Sequence, residues 1–318
     1  IVISAKSFYK ISVMQNIVLR GDFLLDFRME TFLAVCECMN FTKASQKLNI
    51  TQPAVSQHIH YIEDYYGTKL FVYQGKKLHL TEAGEYLRSA ALTMRHDDIY
   101  LRDKLSTYGT QKQELRLGAT LTIGGFAIKV FIADYLKENP DLNVKLIVAD
   151  TKDICDMLVT GDLDFALVEG YFPKSEYDSL IFSHENFIGV CSGEFNLDGR
   201  TTNIADYINE RLIIREPGSG SREIFERYLH ERNFKVEDFK SVAVINSINV
   251  IKDMVINNCG ITFIYEEAVR EDIVEGRLKK IPLRDFPVHH DFYFIWRKNS
   301  IYYKYYTEMF RKIKKYRM

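Results

Sequence analysis

FTKASQKLNITQPAVSQHIHYIEDYYGTKLF, residues 41–71, is the stretch whose folding decides the rest of the chain. Its apolar residues recur at helical spacing in two bursts separated by Leu48-Asn49-Ile50. Thr51 is a natural N-cap for the second helix, and Pro53 falls in the first turn, where a missing N–H is tolerated. Ala54, Val55, Ile59 and Ile62 should face inward, which leaves Gln52, Ser56, Gln57 and His60 on other faces. Short amide and hydroxyl side chains at an exposed helix start suit the DNA major groove. Gln can pair bidentately with adenine, and Ser can donate to a base or a phosphate. The same polar face would also serve any small helical domain, so the flanks must decide.

Upstream, Met29, Phe32, Leu33, Val35, Cys36 and Met39 form an apolar helical face that ends before Asn40. Downstream, Gly67 is placed to close the third helix as a C-cap. Two short extended runs follow, Lys69 to Tyr73 and Lys77 to Leu80, joined at Gln74-Gly75-Lys76. Three helices followed by a basic hairpin make a winged helix-turn-helix, with Lys76 and Lys77 within reach of phosphates. Thr81 then caps a long helix whose apolar positions Leu87, Ala91, Met94, Leu101, Leu105 and Tyr108 follow a heptad rhythm, with Asp98 at its polar position. Such a seam calls for a partner chain, giving a dimer, or for docking onto the chain's own C-terminal half. Residues 1–24 lack this order. They are expected to be upstream reading frame or a disordered extension, with Leu25 as the native start.

At 318 residues and 47% hydrophobic, the chain should form about two domains with ordinary cores, and a net charge of −1 excludes a wholly basic coat. Charge is nonetheless uneven. Residues 41–80 carry five lysines against Glu63 and Asp64, which fits a phosphate footprint. The tail from Arg297 has eight Lys or Arg residues against Glu308 and reads as the solvated face of an amphipathic helix with Tyr302, Tyr305, Met309, Ile313 and Tyr316 inward. Five cysteines without repeating spacing suit reduced thiols in a cytoplasmic protein. No run approaches the roughly 20 apolar residues that span a bilayer, so no membrane partner is expected.

Beyond a hinge at 108–113 the rhythm changes to alternating strands and helices. Strands at Leu115–Ala119, Val144–Val148 and Phe165–Val168 alternate with helices at Ile123–Lys137 and Asp153–Val159. A second unit has strands at Leu212–Ile214, Val242–Ile245 and Ile261–Ile264, with helices at Ser221–Arg232 and Val250–Ile256. These are parallel α/β units. The strands Ile188–Cys191 and Phe292–Trp296 would cross between them, giving two lobes and a cleft. Ligands of such lobes sit beyond strand carboxyl ends, at helix N-termini. Thr120, Thr122 and Thr151 fall there, as do Ser219, Ser221 and Arg222 of REPGSGSR and, on the next turn, Asn246 and Ser247. Each of these could equally cap a helix. Their convergence favours a small, anionic effector. No nucleophile–base pair, phosphate loop or metal spacing is found, so neither an enzyme nor a cofactor is expected.

The chain from about Leu25 onward resembles LysR-type transcriptional regulators. The resemblance rests on METFLAV at 29–35, FTKASQKLNITQPAVSQHI, LTEAG at 80–84, LRLGAT at 115–120 and REPGSGSR at 215–222. It implies a winged helix-turn-helix at 25–80 and a linker helix at 81–109. A two-lobed domain similar to periplasmic binding proteins would follow at 110–318, with lobe I at about 114–189 and 266–318 and lobe II at about 190–265. It further implies that Gln52, Pro53, Ser56 and Gln57 contact bases of double-stranded promoter DNA, and that Thr42, Thr51, Lys76 and Lys77 hold phosphates. Pairing through the long helix would give a homodimer, and the effector domains would join dimers into a homotetramer, with RNA polymerase a further candidate partner. The REPGSGSR subgroup implies a phosphorylated or sulfur-containing effector. Tyr73 departs from the basic residue common in the family's wing, and Tyr65 and Tyr66 replace more polar residues. The competing class is a solute-binding receptor with no DNA function.

Overall fold

The computed structural model describes residues 26–106, 113–197, 199, 201–284 and 288–316. The expectations for residues 1–24 and for Tyr108 lie outside these. The chain divides into two compact units between Asp103 and Lys104.

In the N-terminal unit, caps set both boundaries of the first three helices. Asp26 accepts from the Arg28 amide to open α1 (Phe27–Cys38), which ends at Met39 in the left-handed region with φ 43°. Asn40 opens α2 (Phe41–Leu48) by accepting from the Lys43 amide at 2.9 Å. The tight joint after α2 is Asn49 at φ 55°, a conformation asparagine tolerates better than most residues. Thr51 opens α3 (Gln52–Tyr66), and Gly67 closes it at φ 64°. Phe32, Val35, Ala44, Val55 and Ile59 pack to near-complete burial beneath the three helices.

The wing comprises β1 (Phe71–Gln74) and β2 (Lys77–Leu80), paired antiparallel from Phe71 with Leu80 to Gln74 with Lys77. The turn is therefore the two residues Gly75-Lys76, one shorter than the spacing suggested, with Gly75 at φ 63° supplying the geometry of a two-residue hairpin. The first strand also starts two residues later than expected. The Leu70 amide donates to the Glu63 carboxylate instead of joining a ladder.

Helix α4 (Glu82–Ser106) starts at Thr81, whose hydroxyl accepts from the Gly84 amide at 3.0 Å and donates to the Lys69 carbonyl at 2.7 Å. Gly84 explains the LTEAG motif. A Cβ there would sit 2.2 Å from the Leu70 carbonyl oxygen, so the helix can press against the base of the wing only through a glycine. Gly84→Ala is expected to destabilise this unit by about 1–3 kcal/mol through overpacking against backbone. Urea denaturation followed by circular dichroism would report it, and an unchanged midpoint would disprove the close-approach argument. The heptad seam divides. Leu87 and Ala91 belong to the N-terminal core, whereas Met94 and Leu105 are exposed.

The C-terminal unit is built on a seven-stranded sheet. Strands β3 (Gln113–Ala119), β4 (Leu142–Val148) and β5 (Phe165–Val168) are parallel, in the order β5-β3-β4. Helix α6 (Thr151–Thr160) follows β4. The expected helix at Ile123–Lys137 is instead a π-helical turn, Ile123–Ala127, followed by α5 (Lys129–Glu138). Gly124 and Gly125 weaken helix there, and Gly124 lies so close to Val148 that a Cβ would be 2.6 Å from its side chain. The crossover is a 16-residue strand, β6 (Tyr177–Ser192), far longer than the four residues its apolar core suggested.

The second lobe has the parallel pair β7 (Arg211–Ile214) and β8 (Ser241–Val244), linked by α7 (Gly220–His230) and followed by α8 (Ile248–Ile256). Strand β9 (Thr262–Tyr265) pairs with the far end of β6. Two elements unanticipated in the sequence come next, α9 (Glu266–Val274) and the three-residue strand β10 (Leu278–Lys280), which also pairs with β6. Strand β11 (Val288–Arg297) returns along β6 and reaches β5. Helix α10 (Tyr303–Lys315) buries Tyr306, Met309 and Ile313. Its stripe is thus centred on Tyr306 where Tyr305 was expected, and Tyr302, Tyr305 and Tyr316 flank the core only partly buried.

Candidate functional site

Each unit presents a candidate site. On the N-terminal unit, Val55, Ile59 and Ile62 draw one face of α3 into the core, which leaves Thr51, Gln52, Pro53 and Gln57 exposed and Ser56 half-buried. Gln52 Nε2 donates to Ser56 Oγ at 2.9 Å, so the two side chains stand together one turn apart. Thr51 Oγ1 accepts from the Ala54 amide at 3.4 Å. Thr42 at the start of α2 and Lys76 and Lys77 on the wing are exposed. Helix α1 also braces α3 through the latter's His58 and Tyr61. Thr31 Oγ1 lies 2.9 Å from His58 Nδ1, and the Arg28 guanidinium stacks 3.9 Å from the centre of the Tyr61 ring.

Glu63 is the structural residue that the charge pattern concealed. It is one of two acids in a basic stretch, yet it is buried on α3, ion-paired with Lys69 at 2.6 Å and accepting from the Leu70 amide at 2.9 Å. Burial alone would raise its pKa, but the Lys69 ammonium and the backbone N–H groups outweigh it and hold the carboxyl below its usual range. This contribution is present above the unfolded-state value near 4.3 and is lost as pH falls through the depressed folded value. Glu63→Ala should cost about 1–3 kcal/mol, because it leaves a buried amide without its acceptor. The substitution should also flatten the acid limb of the stability–pH curve; an unaltered acid limb would show that the staple contributes nothing.

In the C-terminal unit, the carboxyl ends of β3, β5 and β7 and the start of α7 converge. Thr120 and Thr122 follow β3, and both are buried. Glu169 follows β5, 3% exposed. Its carboxyl is pushed up to about 7 by burial, against the opposing pull of the Thr122 hydroxyl that donates to it and of nearby Arg215. The lobes meet closely here. A Cβ on Gly220 would lie 3.3 Å from Gly170 Cα and 3.4 Å from Glu169 Cγ. Gly218, at φ 88°, turns the chain into α7.

The residues that the sequence could not separate into caps and contacts now differ. Ser247 caps α8, accepting from the Val250 amide, and Asn246 is exposed. Ser219 occupies the cap position of α7 but makes no capping bond, and its buried Oγ has no protein partner. The same holds for Thr120 Oγ1 and Glu169 Oε2. Buried polar atoms are ordinarily paired, so three orphans in one cleft are atoms aimed at something. Ser221 is buried in the first turn of α7. Arg222 points elsewhere, donating through Nε to Glu226 at 2.7 Å and through a terminal nitrogen to the Arg215 carbonyl at 2.9 Å. Arg215 forms a bidentate pair with Glu216, both bonds 2.8 Å. Thr151, at the start of α6, is half-buried and, with Gly170, Gly218 and Gly220, lines a cavity of about 370 Å³.

Comparison with known proteins fits both geometries. Residues 27–85 match the bacterial regulatory helix-turn-helix protein, lysR family, and residues 109–301 match the LysR substrate binding domain. The chain belongs to the LysR family of transcriptional regulators. It is similar to the HTH-type transcriptional regulator CysL of Bacillus subtilis, 29% identical over 262 residues that cover 81% of this chain and 86% of that one. It is also similar to the HTH-type transcriptional activator CmpR of Synechocystis, 27% identical over 277 residues covering 86% and 89%. Full-length LysG from Corynebacterium glutamicum with bound effector Arg shares the fold at a TM-score of 0.60 and 16% identity, covering 92% of this chain and 97% of that one. The regulatory domain of Synechocystis CcmR in complex with 2-PG does so at 0.55 and 18%, covering 64% and 98%. This LysR-family chain is accordingly a DNA-binding transcriptional regulator whose effector-binding domain responds to a small molecule.

Within this LysR-family cleft, sequence reasoning overlooked Glu169. The signal was available, since Glu169-Gly170 follows the third strand of the first lobe just as Thr120 follows the first and Asp150 the second. No cluster of His, Cys, Asp and Glu suited to a metal occurs among the described residues, and no described helix is long and apolar enough to cross a membrane.

Proposed function

We propose that residues 25–80 read double-stranded promoter DNA, with Gln52, Pro53, Ser56 and Gln57 at base edges and Thr42, Thr51, Lys76 and Lys77 on phosphates. The observation that carries this reading is the outward face of α3, where a polar, exposed first turn stands over an underside of Val55, Ile59 and Ile62, with two exposed wing lysines beyond it. Residues 81–109 link the reader to an effector domain at 110–318, lobe I at about 114–189 and 266–318 and lobe II at about 190–265. The exposed Met94 and Leu105 on α4 support pairing of two chains into a homodimer, and dimers into a homotetramer. The effector carries an acidic group and binds between the lobes, where Thr120, Thr122, Ser219 and Ser221 surround the start of α7. Thr151 and Asn246 border this site, whereas Ser247 and Arg222 support it through their own hydrogen bonds. The protein acts in the cytoplasm, without catalysis, with RNA polymerase a further candidate partner at the promoter.

Footprinting on the DNA upstream of its own gene tests the first half of this reading. A protected, salt-sensitive site of two half-sites supports it. Binding that ignores both sequence and salt would leave a solute receptor as the better description.

A further inference from the structure

Where the lobes meet, an acid is buried against the start of α7. Glu169 is 3% exposed, and its Oε2 has no protein partner, nor have the Oγ atoms of Ser219 and Thr120. An anion alone fits this poorly. The two arginines nearby are already engaged, Arg215 by both oxygens of Glu216 and Arg222 by Glu226, so their charge is largely answered within the protein. What stays available is the start of α7, with its unpaired first amides and two hydroxyls, facing a buried carboxyl. One end attracts an acidic group and the other a cationic donor.

Resting on the reading of this cleft as the effector site, the geometry points to a small zwitterion as the effector, its acidic group at the start of α7 with Ser219 and Thr120, and its ammonium on Glu169 Oε2. Glu169 is then a specificity residue that separates amino-bearing ligands from plain acids of the same size. The groups facing its carboxyl are Arg215 at the end of β7, Asp150 at the end of β4 and Thr122 beyond β3, with Tyr265 of β9 behind them bonded to His290 of β11 at 3.2 Å. Burial leaves this carboxyl partly protonated near neutral pH, at about 7. Capture of an ammonium favours the carboxylate and releases a fraction of a proton. Capture of a bare anion favours the protonated acid and takes one up.

The test is a thermal-shift and calorimetry panel on the full chain. The probes are the common α-amino acids, the matching carboxylic acids without the amino group, inorganic phosphate and sulfate. At least one amino acid should bind, its deaminated counterpart should bind about tenfold to a hundredfold more weakly, and calorimetry in two buffers should show proton release. Glu169→Gln should lose most of that discrimination while Ser219→Ala weakens both members of the pair. If no amino acid binds up to millimolar concentration, or if acids without an amino group bind equally well with proton uptake, the zwitterion is overturned. Should those acids lose affinity in Ser219→Ala, the cleft survives as the effector site and only the ligand class falls. Should Ser219→Ala and Thr120→Val leave every bound probe unaffected, the cleft itself is the wrong site and the proposal falls with it.

Discussion

Gln52→Ala is expected to relax base preference at one position of each half-site and to weaken specific binding by ~1–3 kcal/mol, about tenfold to a hundredfold. The argument starts from α3. Thr51 fixes where the helix begins, and Pro53 in its first turn removes an amide that would otherwise need a partner. Gln52 is consequently held at the first position, exposed, with its amide already oriented by Ser56 at 2.9 Å. An amide oriented in this way can present an acceptor and a donor together to an adenine edge. Lys76→Ala is the control, since a phosphate contact carries no sequence information. It should weaken every duplex about equally and lower the slope of log affinity against log salt by about 0.9. Fluorescence anisotropy with the footprinted site and single-base variants separates the two effects. If Gln52→Ala left discrimination intact and merely weakened all duplexes, Gln52 would be a backbone contact.

The residues that proved legible in the sequence are those whose work is local. Thr51, Pro53 and Gly67 act through hydrogen bonds and dihedral angles within a turn of their own positions, so spacing alone locates the helix that they bound. The parallel strands were legible for a similar reason, since Phe165–Val168 is buried on both faces and reads as a continuous apolar run. Residues whose role depends on distant backbone were not. Glu63 looks like a surface charge until the chain returns seven residues later to place Leu70 on it. Gly84 looks like a weak helix residue until the wing base is seen against it. Strand β6 was underestimated because only Ile188–Cys191, near its end, lies in a continuously buried run, while its earlier part mixes Asp178, Ser179 and Ser183 with Leu180, Ile181 and Phe182 in no clean alternation beside β11. In the cleft, Ser219 and Ser247 were indistinguishable as letters, each standing before a helix. Arg222 was credited with a charge for the ligand that Glu226, four residues on, takes up instead. That i,i+4 pairing was readable in principle, but which way a guanidinium turns depends on burial that spacing does not encode.

Ser219→Ala should separate effector response from folding, and with an unusual sign. A buried hydroxyl without a partner carries a desolvation penalty of about 1–3 kcal/mol, so its removal should leave the ligand-free protein no less stable. For a domain of this size the melting midpoint should hold or rise by about 2–4 °C for each kcal/mol recovered. The ligand that most raises the midpoint of the unsubstituted protein should, in the variant, lose most of its effect. A helix cap gives the opposite result, because replacing a capping serine by alanine lowers stability by about 1 kcal/mol. Ser247→Ala, where the hydroxyl does cap α8, supplies that comparison within the same domain. Ser247→Ala should lower the midpoint and spare the ligand shift, whereas Ser219→Ala should do the reverse. Were both variants to lower the midpoint and spare the shift, the orphan hydroxyls of the cleft would be structural after all. The reverse pattern would mean that folding stability is given up at the start of α7 so that the lobes close with unpaired groups facing a ligand.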